Sequence, residues 1–334
     1  MQMSTALIDR CRQVHLVAKR QRQQRSGEEF GRLWRQQGRG FVGDAVAAMT
    51  DVSVQPHVVY WCMTALRSAC KTMAGATGIE GDPVVYGAIA VVLATKPDER
   101  SGRWRMAQRR ALQLVDAMMA CNTDADAASV ARRTVPLLGQ LDGLARAVAG
   151  DVHLGDGEED DDVCALIDGG EATYGLFCAQ LVRAMVVVLL RMAALKVAVE
   201  QVQALWRMVV TSERRLVELF IDDDKDLVRV MALAIETEGI VSTGELFECF
   251  IEVGIGGDAQ LLVDLLSSPE TECLSMLLRY LKRISTAVTN PTVLSCLQQL
   301  HDTLKALWAR GQFPYNPTAL VNRLQNILGR NYHI

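Results

Sequence analysis

Metal binding and nucleophilic chemistry both need soft or titratable side chains at fixed short spacings, and the sequence offers one such pair: Cys11 and His15, a helical turn apart. Two ligands do not complete a metal shell, and His57, His153, His301 and His333 stand far from them and from one another. The pair reads as two neighbours on a helix. Nine cysteines, at positions 11, 62, 70, 121, 164, 178, 249, 273 and 296, include no Cys-x-x-Cys, and their odd number suits a reducing compartment in which thiols pack as small hydrophobes. The glycine stretches "VGIGGD" (Gly254, Gly256, Gly257) and "GATGIEG" (Gly75, Gly78, Gly81) lack the preceding strand and the following Lys-Ser/Thr or spaced acid that phosphate binding needs, so they read as turns between helices. Neither Asp160 to Asp162 nor Asp222 to Asp224 has the alternating oxygens, central glycine and distal glutamate of a calcium loop. The first reads as a solvated loop and the second as a helix N-terminus, where negative charge is favoured. No serine sits in a nucleophile-elbow sequence, and no cysteine or histidine has a catalytic context. No catalytic residue, cofactor site or metal ligand is assigned, and binding is the expected class of function.

Whatever is bound meets an acidic protein with one basic end. The net charge is −4 over 334 residues and the pI is about 5.8, which argues against whole-surface nucleic-acid binding. Residues 10–39 nevertheless hold nine Lys or Arg (Arg10, Arg12, Lys19, Arg20, Arg22, Arg25, Arg32, Arg35, Arg39) against Glu28 and Glu29, so +7 lies there and −11 elsewhere. A solvated helix face, an import segment "KRQRQQR" and a contact for an acidic partner all account for this arm, which is also the one candidate for nucleic acid. Trp34, Tyr60 and Trp61 read as packing residues before contact aromatics. The apolar run "AMVVVLL" at 184–190 is bounded by Arg183 and Arg191 and falls well short of the roughly 20 residues of a membrane span. The N-terminus lacks the apolar core of a signal peptide, so an intracellular protein, cytoplasmic or nuclear, is expected.

Apolar spacings of three and four dominate, aromatics make up 5% and prolines number 8, so the chain reads as all-α. Three cap-and-proline starts are expected, at Ser268-Pro269, Asn290-Pro291 and Asn316-Pro317. The first opens a helix burying Leu274, Leu277, Leu278 and Leu281. The second opens one burying Val293, Leu297, Leu300, Leu304 and Leu307 and closing at Gly311, and the third runs to Gly329. Ser242 with Glu245 forms a capping-box pattern. Between Glu171 and Thr211 the polar residues change sides, Gln180, Arg183 and Arg191 on one face and Lys196, Glu200, Gln203 and Arg207 on the other. That requires a break near Met192 to Leu195 or a single helix that changes partners. The architecture expected is a degenerate armadillo- or HEAT-like stack of helix pairs. Its parts are an N-terminal helical region 1–149, an acidic linker 150–162, a helical-repeat region 163–289 and a short helical C-terminal domain 290–334.

Three blocks of the last third carry a family resemblance: "LFIDDDKDLVRVMALAIE" (219–236), "LLVDLLSSPETECLSMLLRYLKRI" (261–284) and "LHDTLKALWARGQFPYNPTALVNRL" (300–324). In this order they resemble the Lines family, known from animal segment-polarity and Wnt-related signalling. The family-signature residues are Ser268, Pro269, Glu270, Thr271, Leu278, Arg279, Tyr280, Leu281 and Lys282, then Phe313, Pro314, Tyr315, Asn316 and Pro317. Animal members are generally longer, and residues 1 to about 200 match no family block. The resemblance implies armadillo-like helices, no catalytic residues, and a nuclear and cytoplasmic regulator that works through protein contacts, including zinc-finger transcriptional regulators. A structural subunit of a cytoplasmic assembly and an enzyme are the alternatives. "FPYNPTAL" itself reads as a corner, extended at Pro314, with Phe313 and Tyr315 packed across it to dock the last helix.

Overall fold

A computed structural model describes residues 2–24, 28–51, 54–73, 82–95, 102–120, 124–148, 171–237, 239–269, 271–284 and 290–331. All regular elements among the described residues are helices. The expected linker 150–162, the glycines 75, 78 and 81, and Glu270 lie outside them. The chain forms two compact units, Met1–Val209 and Val210–Ile334.

In the first unit, α1 (Gln2–Gln24), α3 (Pro56–Met73), α5 (Gly102–Ala120) and α8 (Glu171–Ala194) lie side by side in that order. A second row, α2 (Glu28–Thr50), α4 (Pro83–Ala94), α7 (Leu138–Val148) and α9 (Val199–Val209), is also linked in sequence, while α6 (Asp124–Thr134) packs on α5. Side-chain contacts give the directions. Cys11 Sγ is 3.9 Å from Cys62 Sγ, and His15 Nδ1 is 2.8 Å from Ser68 Oγ, so α1 and α3 run parallel. Arg109 donates to Gln180 at 2.7 Å and Arg191 to Asp116 at 2.7 Å, so α5 and α8 do too. Arg10 instead reaches Asp44 at 2.6 Å and lies 5.9 Å over Phe41, which sets α2 against α1. The polarity switch after Glu171 is a break: α8 stops at Ala194, and Lys196 and Ala198 hold left-handed φ values of 55° and 50° before α9 starts. The run "AMVVVLL" is buried inside α8, and no helix among the described residues is long and apolar enough to cross a membrane.

The second unit contains α10 (Glu213–Glu218), α11 (Asp224–Ala234), α12 (Thr243–Cys249) with a π turn at Phe250–Gly254, α13 (Ala259–Ser267), α14 (Cys273–Arg283), α15 (Pro291–Ala309) and α16 (Thr318–Asn331). The triplet Asp222 to Asp224 does start a helix, with Asp223 accepting from the Asp226 N–H at 2.9 Å. The "VGIGGD" glycines form the turn into α13: Gly256 and Gly257 have φ of 61° and 72°, and Asp258 caps the helix.

Several local expectations change. Ser268 does not open α14; its N–H bonds to the Asp264 carbonyl and so ends α13. The next helix waits until Cys273, because Thr271 donates its hydroxyl proton back to the Leu265 carbonyl and holds the chain out of helix. The capping box at Ser242 does not form, since Ser242 N–H donates to Glu213 of α10 and its hydroxyl caps nothing. The buried stripe of α14 is turned from the expected one: Cys273, Met276, Leu277, Tyr280 and Leu281 are inside, whereas Leu274 and Leu278 are half-buried. Tyr280 causes the rotation by taking the central core position. On α15 Leu307 is half-buried and His301 takes a buried place instead, while α16 passes Gly329 to reach Asn331.

Asn290 caps α15 as expected, its Oδ1 accepting from the Thr292 and Val293 N–H groups at 3.0 and 3.4 Å, with Pro291 as first residue. The same side chain donates to Glu252 at 2.8 Å. Asn290→Ala is expected to destabilise the second unit by about 1–2 kcal/mol, the upper part of the N-cap range because a second bond is lost. Urea unfolding of the variant followed by circular dichroism checks this.

Candidate functional site

The site is built from the corner between α15 and α16. The last turn of α15 ends because Gly311 adopts a φ of 66°, which a residue with a Cβ resists. Its N–H bonds to the Trp308 carbonyl at 3.0 Å, and the Gln312 N–H to the Leu307 carbonyl at 2.9 Å, satisfying the helix end. Phe313 then turns inward, 5% exposed, with Tyr315 edge-on at 6.3 Å. Asn316 leads into α16, which begins at Thr318, one residue after the expected start at Pro317: the Asn316 Oδ1 accepts from the Thr318 N–H at 3.0 Å and the Thr318 hydroxyl at 2.6 Å, while Pro317 is buried. Leu320, Leu324, Ile327 and Leu328 bury the inner face of α16, and Arg323 donates to the Leu281 carbonyl of α14 at 3.2 Å. The corner acts as a clasp, with a wet outer side. Trp308 is 46% and Tyr315 39% exposed, and they are the exposed large aromatics among the described residues. Pro314 lies exposed between them in sequence.

The "SPET…LLRYLK" block is architectural. Tyr280 is fully buried, stacks on Phe247 of α12 at 5.5 Å and donates its hydroxyl to the Met231 carbonyl of α11 at 3.3 Å. Burial pushes that phenol far above its ordinary value, so it stays a neutral donor. Arg279 pairs with Glu236 at 2.7 Å, and Arg283 reaches the same carboxylate at 3.5 Å and the Ile235 carbonyl. Leu281 is buried, Leu278 half-buried, and Lys282 and Pro269 exposed. These residues tie α14 to the end of α11.

Burial decides the state of the thiols. Burial pushes Cys273 up to about 12 and Cys296 up to about 11, so both stay protonated and inert at neutral pH. Cys62 is pushed upward by its contact with Cys11 and then by burial. His15 Nδ1 meets the Ser68 hydroxyl of α3, and no group of three or more His, Cys, Asp or Glu among the described residues is placed to hold a metal ion.

Residues 293–327 match the family model for the Lines C-terminus. The match starts in the first turn of α15, contains the whole corner and ends on Ile327 of α16. The C-terminal resemblance to Lines thus coincides with one structural unit, a helical hairpin closed by the Phe-Pro-Tyr-Asn-Pro clasp. No curated protein and no solved structure matches the chain.

Within this Lines-type hairpin, sequence reasoning found the clasp and missed Trp308, which occupies an ordinary helical position and reveals its exposure only once α16 has turned away. In the first unit the basic arm is divided among tasks: Arg10 is spent on Asp44, Arg12 lies 5.2 Å over Trp61, and Arg32, Arg35 and Arg39 face outward from α2. Trp34 is buried between Phe30 and Phe41, a packing residue. Tyr60 and Trp61 reach the surface, and Arg110 bonds the Tyr60 hydroxyl at 2.8 Å while lying 5.1 Å from its ring.

Proposed function

We propose that this protein is a non-catalytic interaction scaffold of the Lines type, modulating signalling or transcription by binding other proteins in the cytoplasm or nucleus. The observation that carries the reading is the family match over residues 293–327, whose hairpin presents Trp308 and Tyr315 to solvent beside a rigid clasp. Exposed aromatics on a pre-organised corner are what interface anchors require, because they add contact area with little side-chain entropy to lose. The two linked rows of helices in the first unit support an armadillo- or HEAT-like arrangement, in which stacked pairs offer an extended binding face.

Affinity purification of the tagged full chain, beside the double variant Trp308→Ser/Tyr315→Ser, tests this. Both side chains are substantially exposed, so the variant should melt like the parent. A subset of specifically recovered proteins is expected to fall about tenfold or more. An unchanged set of partners, or no specific partner for the parent, overturns the reading.

A further inference from the structure

Each helix of the second row has a solvent side, and three of the four show charge there: Arg35 and Arg39 on α2, Arg146 on α7, Glu200 and Arg207 on α9. α4 shows none. Its exposed residues are Pro83, Val84, Gly87, Val91 and Ala94, all without a polar side-chain atom, and Val84 and Val91 are 58% and 37% exposed. They make an uncharged ridge about 16 Å long. An apolar strip open to water is informative in a way that a single exposed valine is not. Its middle is uncovered, since a Cβ added at Gly87 meets no atom within 4 Å. One side of the ridge is basic. On α2, Leu33 and Gln37 face α1 across a small cleft and Asp44 takes Arg10, so at about 100° per residue Arg35 and Arg39 stand on the opposite edge, next to α4 in the row. Both are exposed, and neither has a partner among the described residues. Glu28 and Glu29 of the same helix precede Arg35 by more than the three or four residues at which helix side chains meet.

We infer that the α4 ridge and the arginine edge of α2 together dock an amphipathic, acidic helix of a partner protein. The apolar stripe of that helix lies along α4, and its glutamates, a helical turn apart, meet Arg35 and Arg39 at the same spacing. A helix fits better than an extended chain, because Gly87 between Val84 and Val91 leaves a low point three and four residues from either neighbour, where a helical ridge packs closely. Charge complementarity selects the partner. A second copy on a twofold axis sets uncharged ridge on uncharged ridge and leaves the arginines unanswered. A membrane surface fits less well, because the exposed apolar side chains of α4 are short and include no Trp, Phe or Leu to insert. Nucleic acid fits less well too, because Phe30, Trp34 and Phe41 of α2 are buried and offer no base a stacking face.

This inference rests on the reading that the protein works through protein contacts, but it does not use the α15–α16 corner. Fluorescence anisotropy of the full chain tests it, with a fluorescein-labelled helical peptide of about 18 residues, long enough to form several turns, bearing leucine on one face and glutamate on both flanks. One counterpart has lysine for glutamate and another glutamine for leucine. The acidic amphipathic peptide is expected to bind at least about tenfold tighter than either. Arg35→Gln/Arg39→Gln, both on exposed side chains, should remove most of its preference over the lysine peptide. Gly87→Leu should weaken its binding about tenfold while melting no lower than the parent, because the new side chain enters open space on a helix. Trp308→Ser/Tyr315→Ser should leave the peptide bound. The peptide can fail while the partners lost in that double variant are still recovered, so the two surfaces fail separately. Equal binding of the three peptides, or binding unchanged in both Gly87→Leu and Arg35→Gln/Arg39→Gln, overturns the assignment. So does a dimer of the parent that Gly87→Leu dissociates, peptide binding that appears only once the acidic run 156–162 is neutralised, or tighter binding of phosphatidylserine vesicles or single-stranded DNA.

Discussion

Tyr280→Ala is expected to cost the second unit about 3–5 kcal/mol, the range for deleting a buried aromatic whose cavity cannot collapse. The side chain is 0% exposed and heads the largest fully buried side chains among the described residues. Its ring stacks on Phe247 and its hydroxyl meets the Met231 carbonyl, so one residue joins α14 to α11 and α12. Loss of the ring removes contacts on both sides, and neither helix can close the gap without giving up the Arg279–Glu236 pair or the Arg283 bond to the Ile235 carbonyl. Tyr280→Phe separates the two parts: it keeps the ring and drops only the 3.3 Å hydroxyl bond, so about 1 kcal/mol is expected. Hydrogen exchange read peptide by peptide gives the check. Protection in α11, α12 and α14 should fall in Tyr280→Ala while the first unit keeps its own; a loss of under about 1 kcal/mol would mean that Tyr280 is not the joint.

The same residue shows where sequence reading stops. In "SPETECLSMLLRYLKRI" four leucines at helical spacing point to a leucine stripe, and the helix itself is legible from them. Which side of the helix is buried depended on Phe247 and Met231, 33 and 49 residues earlier in the chain, and a tyrosine with both a ring partner and a carbonyl acceptor outcompetes a leucine for the centre. Caps behaved alike. Asn290 and Asn316 were readable because their acceptors serve their own next turns. Ser242 and Ser268 were not, because a carboxylate from another helix and the end of the preceding helix claimed their N–H groups first.

For the candidate sites the division is similar. The corner at 311–318 is local chemistry, glycine with positive φ, proline and asparagine cap, and was legible throughout. The packing of α8 on α5 was half legible. Gln180, Arg183 and Arg191 share a face in the sequence, and arginines in otherwise apolar helices were the available signal, but what they meet lies about seventy residues away: Arg109 for Gln180 and Asp116 for Arg191. Periodicity assigns a face to each helix, whereas only packing decides which helices share a surface.

That long-range pair gives the second large effect. Asp116→Ala is expected to destabilise the first unit by about 3–5 kcal/mol, because the Asp116 side chain is 7% and the Arg191 side chain 18% exposed, and removing the carboxylate leaves a largely desolvated guanidinium without its 2.7 Å acceptor. Here the sign of the double change is informative. Two charges held so deeply have each lost hydration, and their attraction repays this only in part, so Asp116→Leu/Arg191→Met should recover most of the stability lost in the single variant and can exceed the parent. Guanidinium unfolding followed by tryptophan fluorescence reads this unit, since Trp34, Trp61, Trp104 and Trp206 all lie in it. A double-mutant cycle on the pair then gives the coupling directly. Coupling near zero would mean that water reaches Arg191 once Asp116 is gone. A large coupling would make the pair the pin that fixes α8 against α5, beside the Arg109–Gln180 bond that one end of the helix pair already shows.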